Sequence, residues 1–536
     1  MNFVSDVINF FFFKKYFLVS RFIKKKFLLN NNKNQNSIVL VEFNNWTSNH
    51  IVLPYFLKAL SCIYNFQTIA YPGYVLDQSN LFRNILNKLK WLLAKNFLIK
   101  KFNVYNSFGV KDIFWPQITK DQIKFSKNLF KILYKKIAKN EDIEKIKIND
   151  ILVGDLIYDG YLRKYKVPTI NLKSHQFQEF LLEFLMLFKF WTDYFQQNHV
   201  KAVIGFHSVY VCAIPQRIAL KRNIETYVVS LEKIYRLNKK FFLTQLEYNF
   251  YKKEFNNISK EIRNKGIVLA KKKLKLRFKG LIDPDILYLT KSPYGKKINK
   301  RVIKKSKKIK ILVAPHCFSD APHSLGRHFF PDFYIWLKHL FEFTKKSNYD
   351  WYIKCHPNFT TYSDNTIEIV KDLARDYNIN YLEPNTSHKQ IISEGINFVV
   401  TVHGNIGSEY PLFNIPVINA STNHYHKCYD FNINPKNKKE YENILLNLKK
   451  IKLKITKDEI YKYYFMKYIY FNNNWLFSNL DDLLKNVGGY ANINRENIYS
   501  YWMKTEDSYS INKKILLLKE FLISKNYLFS INKNYL

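Results

Sequence analysis

Apolar residues follow two rhythms along this chain, and the switching between them lays out its elements. Ile38-Val39-Leu40-Val41-Glu42-Phe43 is a nearly unbroken apolar run of strand length. A helical pattern through Leu60 and a second strand at 67–70 complete a βαβ unit that starts near residue 37. Downstream, a short strand at 151–153 opens into Gly154-Asp155-Leu156-Ile157-Tyr158-Asp159-Gly160-Tyr161-Leu162-Arg163. A long helix over 177–197 feeds a strand at 202–206 that ends in His207-Ser208-Val209-Tyr210, and a helix at 215–222 leads to a strand at 226–229.

Residues 235–307 break the rhythm with dense lysine and weak periodicity, which predicts a helical connector with a solvated face. Alternation resumes with strands at 309–314, 351–354, 398–402 and 417–420, and helices at 333–345, 366–377 and 389–394. The stretch after Val402 is read as opening a further helix. Strand and helix alternating twice over predict an α/β protein of two Rossmann-like, doubly wound domains. The expected boundaries are a basic aromatic extension over 1–36, an N-terminal domain over 37–234, the connector over 235–307, a C-terminal domain over 308–480 and a helical tail over 481–536.

Composition changes this picture in two places. The chain has 536 residues, 47% hydrophobic and 24% charged, which is enough for two cores and rules out a disordered or collagen-like chain. Its 85 Lys+Arg against 43 Asp+Glu leave a formal charge of +42, a field that attracts phosphates, anionic lipid and acidic glycans. The same lysine, together with heavy use of Asn, Ile, Phe and Tyr, also follows from an AT-rich coding bias. No zinc-finger spacing, helix-turn-helix pattern or aromatic-rich nucleic-acid motif is present, so a nucleic-acid partner is not expected. Five scattered cysteines form neither a CxxC pair nor a disulfide framework, which fits a cytoplasmic protein. Cys355 is expected to be a small buried thiol.

In residues 1–29 the run Ile8-Asn9-Phe10-Phe11-Phe12-Phe13 is followed by Lys14-Lys15, Arg21 and Lys24-Lys25-Lys26. It falls short of the ~20 apolar residues of a membrane span, and its charges follow the run instead of preceding it, unlike a signal peptide. Either a peripheral contact with an anionic membrane on the inner face of the cell or a helix docked on the protein accounts for it.

The chemistry concentrates at strand ends. Lys354-Cys355-His356-Pro357-Asn358 and His403-Gly404-Asn405-Ile406-Gly407-Ser408-Glu409-Tyr410-Pro411 each follow a strand, where open α/β sheets bind ligands. Gly404 and Gly407 let backbone approach a ligand, and a helix opening near Ser408 would offer unpaired N–H groups to a diphosphate. Glu409 is read as accepting from ribose hydroxyls or as stabilising a helix start. Lys354 and His356 would supply charge-assisted hydrogen bonds to phosphate. His316, Asp320 and His323 follow the strand at 309–314 with spacing too loose for a metal motif, so an active-site loop is expected. His207 and Tyr210 would face an acceptor, and Asp155, Asp159 and Asp320 are the carboxylates able to act as general base. Together these residues point to a nucleotide-sugar-dependent glycosyltransferase, and no metal motif is matched and no cofactor is expected.

Three stretches carry a resemblance: 154–163, Lys354-Cys355-His356-Pro357, and 404–411 running on to Ile415-Pro416-Val417-Ile418. On them the chain resembles the capsule and surface polysaccharide biosynthesis proteins, GT-B glycosyltransferases that include the capsular Kdo transferases and are distantly similar to sialyltransferases with a His-Pro motif. The resemblance spans roughly 37–430. It implies two Rossmann-like domains facing a cleft, a donor held by the C-terminal one, and an inverting, metal-independent transfer to a glycan or lipid-linked glycan. It would place His356 and Pro357 at the donor's phosphate and Ser408 and Glu409 at the nucleotide. Cys355 stands where the family commonly has proline, and His403 where it has a small hydroxyl residue, which leaves CMP-, UDP- and GDP-sugars open. A teichoic-acid-type polyol-phosphate transferase and a non-catalytic basic glycan- or nucleic-acid-binding protein are the competing readings.

Overall fold

A computed structural model describes residues 3–27, 37–73, 81–281, 291–361, 364–471, 475–477 and 479–530, without the side chains of 3–14, 81–84 and 491. The Asn-rich segment 30–36 and the side chains of the Phe-rich run 8–13 therefore lie outside the described residues. The chain forms two compact units, one of residues 1–157, 172–244 and 473–532 and the other of 158–171, 245–472 and 533–536.

The first unit is built on a six-stranded sheet. In chain order its strands are β1 (Ile38–Phe43), β2 (Gln67–Pro72) and β3 (Val110–Ile113), then, after a separate antiparallel hairpin of β4 (Lys147–Ile148) and β5 (Ile151–Leu152), β6 (Val200–Gly205), β7 (Glu225–Val229) and β8 (Ile234–Leu237). Their spatial order is β3-β2-β1-β6-β7-β8, parallel throughout except for antiparallel β8. Every residue of β1 is buried, as expected of a parallel strand covered on both faces. The helix His175–Gln197 buries Phe177, Phe180, Leu181, Phe184 and Phe188 and sets Trp191 5.1 Å from Tyr71 of β2, and Ser174 caps its start by accepting from the Phe177 N–H at 3.2 Å.

The second unit has a five-stranded parallel sheet of β9 (Lys310–Val313), β10 (Asp350–Lys354), β11 (Asn380–Leu382), β12 (Phe398–Thr401) and β13 (Val417–Asn419), in the order β11-β10-β9-β12-β13. From β9 the chain winds first toward β11 and then, across the sheet, toward β13. The fold is thus α/β, with two Rossmann-like, doubly wound units whose order reverses at β1/β6 and at β9/β12.

Several elements differ from the sequence pattern. The apolar residues at 151–153 enter the small hairpin and not the main sheet. β3, β8 and β11 escape the pattern because β3 carries exposed Lys111 and Asp112 in its middle and the other two are short edge strands. Gly154–Tyr165 is a helix, which puts Asp155 in its first turn and Asp159 one turn on, not at a strand end. The expected helix after Val402 is two successive 3₁₀ turns, Asn405–Ser408 and Tyr410–Phe413, so no α-helical dipole points at this loop.

The connector contains β8 and the helix Lys260–Phe278, whose Gly266, Ala270, Leu274 and Arg277 are buried in the second unit. The tail returns to the first unit, where the Arg236 N–H donates to the Tyr527 carbonyl at 2.8 Å and Tyr55 donates to Glu506 at 2.9 Å. The helix Phe3–Lys26 docks there by its C-terminal half: Val19, Ile23 and Phe27 are buried, with Phe22 5.0 Å from Trp502 and Phe27 4.7 Å from Tyr55 between ring centres. Among the described residues no helix is long and apolar enough to cross a membrane.

Candidate functional site

The carboxyl edge of the second unit's sheet gathers a set of basic side chains. Lys354, the last residue of β10, is only 4% exposed, yet among the described residues it makes no ion pair, and Glu409, the carboxylate whose charge reaches it, is held by Arg277. Its Nζ reaches His388 Nε2 at 3.4 Å and the Cys355 carbonyl at 3.5 Å, both long contacts. Burial pulls its pKa down to about 8. A buried ammonium of this kind is costly unless an anion completes it.

His388 belongs to the short helix His388–Ser393 after β11, and its Nδ1 shares a 2.6 Å hydrogen bond with the Tyr410 hydroxyl. Burial, with Lys354 next, drives its pKa well below the usual range, so the ring is neutral. His356 is half-buried and its Nδ1 accepts the Asn358 N–H at 3.1 Å, which leaves the neutral ring's proton on Nε2. Burial, Lys354 and Arg277 lower its pKa to about 3. Pro357 opens the 3₁₀ turn Pro357–Thr361 that presents this loop, with Asn358 buried beneath it. Cys355 is fully buried, as expected.

At the β9/β12 crossover His316 and His403 meet edge to face with ring centres 4.3 Å apart, and His316 stacks on Phe333 at 4.5 Å. His316 Nε2 accepts the His403 N–H at 3.3 Å and lies 3.3 Å from the Thr401 hydroxyl. His328, 5.2 Å from His403 between ring centres, hydrogen-bonds Ser421 and the Pro322 carbonyl. Burial holds His316 and His328 near about 3 and His403 well below its usual value. His403 Nδ1 has no hydrogen-bond partner among the described residues. Across the same edge Lys467 lies 3.5 Å over the Tyr425 ring and donates to Asn405 at 2.8 Å.

The residues of the 404–411 loop turn inward. Glu409 is bound by Arg277, at 2.8 Å through Nε and 2.6 Å through the Nη2 nitrogen, and by the Tyr294 hydroxyl at 2.7 Å. Its carboxylate is thereby occupied by protein groups, and Arg277, from the lysine-rich connector, is buried as its partner. The Ser408 hydroxyl donates to the Asn405 carbonyl at 2.9 Å, inside its own turn. A Cβ on Gly407 would lie 2.7 Å from the His426 ring, and one on Gly404 would lie 2.9 Å from the Thr401 hydroxyl. Packing therefore requires glycine at 407 whatever approaches from outside.

On the loop after β9, His323 donates its backbone N–H to Asp159 at 3.2 Å and shares a 2.6 Å bond with it through Nδ1, and both residues are buried. Asp332 caps the helix Phe333–Thr344 and also accepts from Tyr158 at 2.5 Å and Thr169 at 2.6 Å, fastening the 158–171 segment to this unit. Asp320 on the same loop is half-buried. Among the described residues no group of three or more His, Cys, Asp or Glu side chains is placed to hold a metal ion.

The first unit carries different chemistry at its sheet edge. Asp155 forms a buried ion pair with Arg217, whose guanidinium also lies 4.2 Å over the Phe242 ring. His207 follows β6 and packs edge to face on Trp46 at 4.8 Å, while Tyr210 is buried with a φ of +64°. Glu42, at the end of β1 beside the order reversal, is buried, accepts the Phe206 N–H at 2.9 Å and has its pKa pushed up to about 7 by burial.

Sequence reasoning missed His388, His328, His424, His426, Arg277 and Glu42. His328, on the loop after β9, and His424 and His426, after β13, were open to the same strand-end rule, but Arg277 joins the site only through long-range packing.

No protein-family model matches the chain, and no curated protein does. Among solved structures it is similar to the KpsC beta Kdo 2,4 transferase of Thermosulfurimonas dismutans, at 13% identity over 49% of this chain and 79% of that one, with a TM-score of 0.30. It is also similar to the UDP-GlcNAc 2-epimerase of Methanocaldococcus jannaschii, at 12% identity over 80% and 97% of the two chains, TM-score 0.20. A glycosyltransferase from Rickettsia africae ESF-5 shares 10% identity over 88% and 100%, TM-score 0.23. The assignment of two Rossmann-like units stands on the strand orders themselves.

Proposed function

We propose that this protein is a glycosyltransferase that moves a sugar from a nucleotide-activated donor onto a surface glycan of the capsule or lipopolysaccharide type, with the donor's phosphate bound at the carboxyl edge of the second unit's sheet. The observation that carries the reading is Lys354, a buried ammonium that makes no ion pair among the described residues, flanked by His356 and His388. A donor phosphate supplies the missing anion. It also raises the pKa of the neighbouring imidazoles, so binding draws in protons.

In the transfer the acceptor oxygen attacks the anomeric carbon as the bond to the donor phosphate breaks. Lys354 and the Nε2–H of His356 stabilise the charge that grows on the departing phosphate. Asp320, the most exposed of the three carboxylates, takes the acceptor proton, while Asp155 and Asp159 position Arg217 and His323. His316 and His403 stand on the donor side, at the same sheet edge as His356, Pro357 and Asn358, while Glu409 supports that edge from within by holding Arg277. In this reading the chain works in the cytoplasm on a glycan or lipid-linked glycan.

A thermal-shift screen against CMP-, UDP- and GDP-sugars and CDP-glycerol, followed by product analysis, tests it. A nucleotide sugar should raise the melting temperature and be turned over, and His356→Ala should cut turnover about 10²–10³-fold with the fold intact. Selective response to CDP-glycerol would turn the reading to polyol-phosphate transfer. Near-normal turnover by the folded variant would remove His356 from the chemistry.

A further inference from the structure

The helix Leu81–Asn96 in the first unit presents its apolar face outward. Trp91 anchors the inner side, with its ring 4.9 Å from Phe43, 5.0 Å from Phe102 and 5.2 Å from Trp115 and its Nε1 donating to the Ile113 carbonyl. Lys95 pairs with Asp112 on that side as well. At about 100° per residue, Ile85, Leu86, Leu89 and Leu93 fall on the opposite side. They and the adjoining Leu92 and Phe97 are between 40% and 73% exposed. Scattered exposed apolar side chains need no explanation, but these six within residues 85–97 form a contiguous patch of the kind that marks an interaction surface.

Charge selects the occupant. From Leu81 to Lys111 the chain contains Arg83, Lys88, Lys90, Lys95, Lys100, Lys101 and Lys111 and no acidic residue, in a protein of formal charge +42. A second copy of so basic a surface would be repelled, whereas an anionic bilayer satisfies both features at once: apolar side chains enter the acyl boundary and lysines meet headgroup phosphates. We propose that the helix Leu81–Asn96 lies flat on an anionic lipid surface and that this helix is the protein's membrane contact. The inference stands apart from the transferase reading and survives its failure.

The test uses the full chain and co-sedimentation with phosphatidylcholine vesicles, with and without phosphatidylglycerol. The wild type is expected to bind only the anionic vesicles, with affinity falling as salt rises. Leu89→Glu/Leu93→Glu should weaken binding at least about tenfold, and Lys88→Gln/Lys90→Gln about tenfold, at unchanged melting temperature. Unchanged vesicle binding by the Leu89/Leu93 variant overturns the proposal. So does binding lost instead through Phe17→Glu/Leu18→Glu, exposed on the N-terminal helix. A wild-type dimer that the Leu89/Leu93 change converts to monomer would assign the face to a second copy. A lowered melting temperature in that variant would mean the chain itself covers the face.

Discussion

The two sheets share a winding order and differ in the chemistry at their carboxyl edges. In the first unit the reversal point holds a buried carboxylate, Glu42, with Gly73 and Gly205 packed against it. In the second it holds imidazoles, His316 and His403, with the buried ammonium of Lys354 at the next strand end. Glu42 has a backbone N–H to accept, whereas the hydrogen-bond contacts of Lys354 are long and to neutral groups. The same scaffold therefore presents a buried carboxylate at one edge and imidazoles with a buried ammonium at the other, because the chemistry resides in the strand-end side chains and not in the fold.

The widest expected separation of the two edges comes from Lys354→Met. Nucleotide affinity and turnover should fall about 10²–10³-fold, while stability holds or rises because a costly buried charge is removed. Calorimetry that finds affinity intact in the folded variant breaks the comparison at its root.

Glu42→Gln probes the other edge. The folded carboxyl is held at about 7 against an ordinary 4.5, so the native state binds more protons across that window and the wild type loses stability as pH rises through it. The isosteric amide should remove this loss and gain up to about 3 kcal/mol above the window. Urea unfolding as a function of pH reads it, and an unchanged slope would mean that Glu42 is not held protonated.

Histidines in the second unit act in the opposite direction. His316 is held near about 3 against an ordinary 6.5, so the unfolded chain binds the extra proton, and stability is lost as pH falls through that interval. His316→Gln should therefore raise stability at about pH 5 by roughly 2 kcal/mol and have no such effect above neutrality. A gain equal at both pH values would point to packing instead.

The smallest contrast concerns glycines. Gly407→Ala drives a Cβ against the His426 ring, which is fixed among Phe431 and Tyr463, and should cost about 1–2 kcal/mol. Gly73→Ala meets Oε1, Cδ and Cγ of the unbranched Glu42 side chain, which can turn where a ring cannot, and should cost less. Melting temperatures in the reverse order would show the first unit's edge to be the tighter one.

The pattern of apolar runs determined the class of fold and the strands that carry the site, because parallel strands buried on both faces must be continuous and hydrophobic, as β1, β9 and β12 are. It also put Lys354, His356, His316 and His403 at strand ends, since that position follows from order along the chain. Tertiary structure alone decided which of these groups are partnered. Glu409 looked like a ligand-facing carboxylate until Arg277, 132 positions away in sequence, occupied it. Gly407 looked like space for phosphate until His426 filled the place of its side chain. The direction of the Leu81–Asn96 helix was likewise hidden, because an amphipathic repeat reads the same whether its apolar face turns in or out. Trp91, packed inward against Phe43, and the exposure of Leu89 and Leu93 show that it turns out. Pairing and orientation depend on contacts between residues distant in sequence, and no local pattern records them.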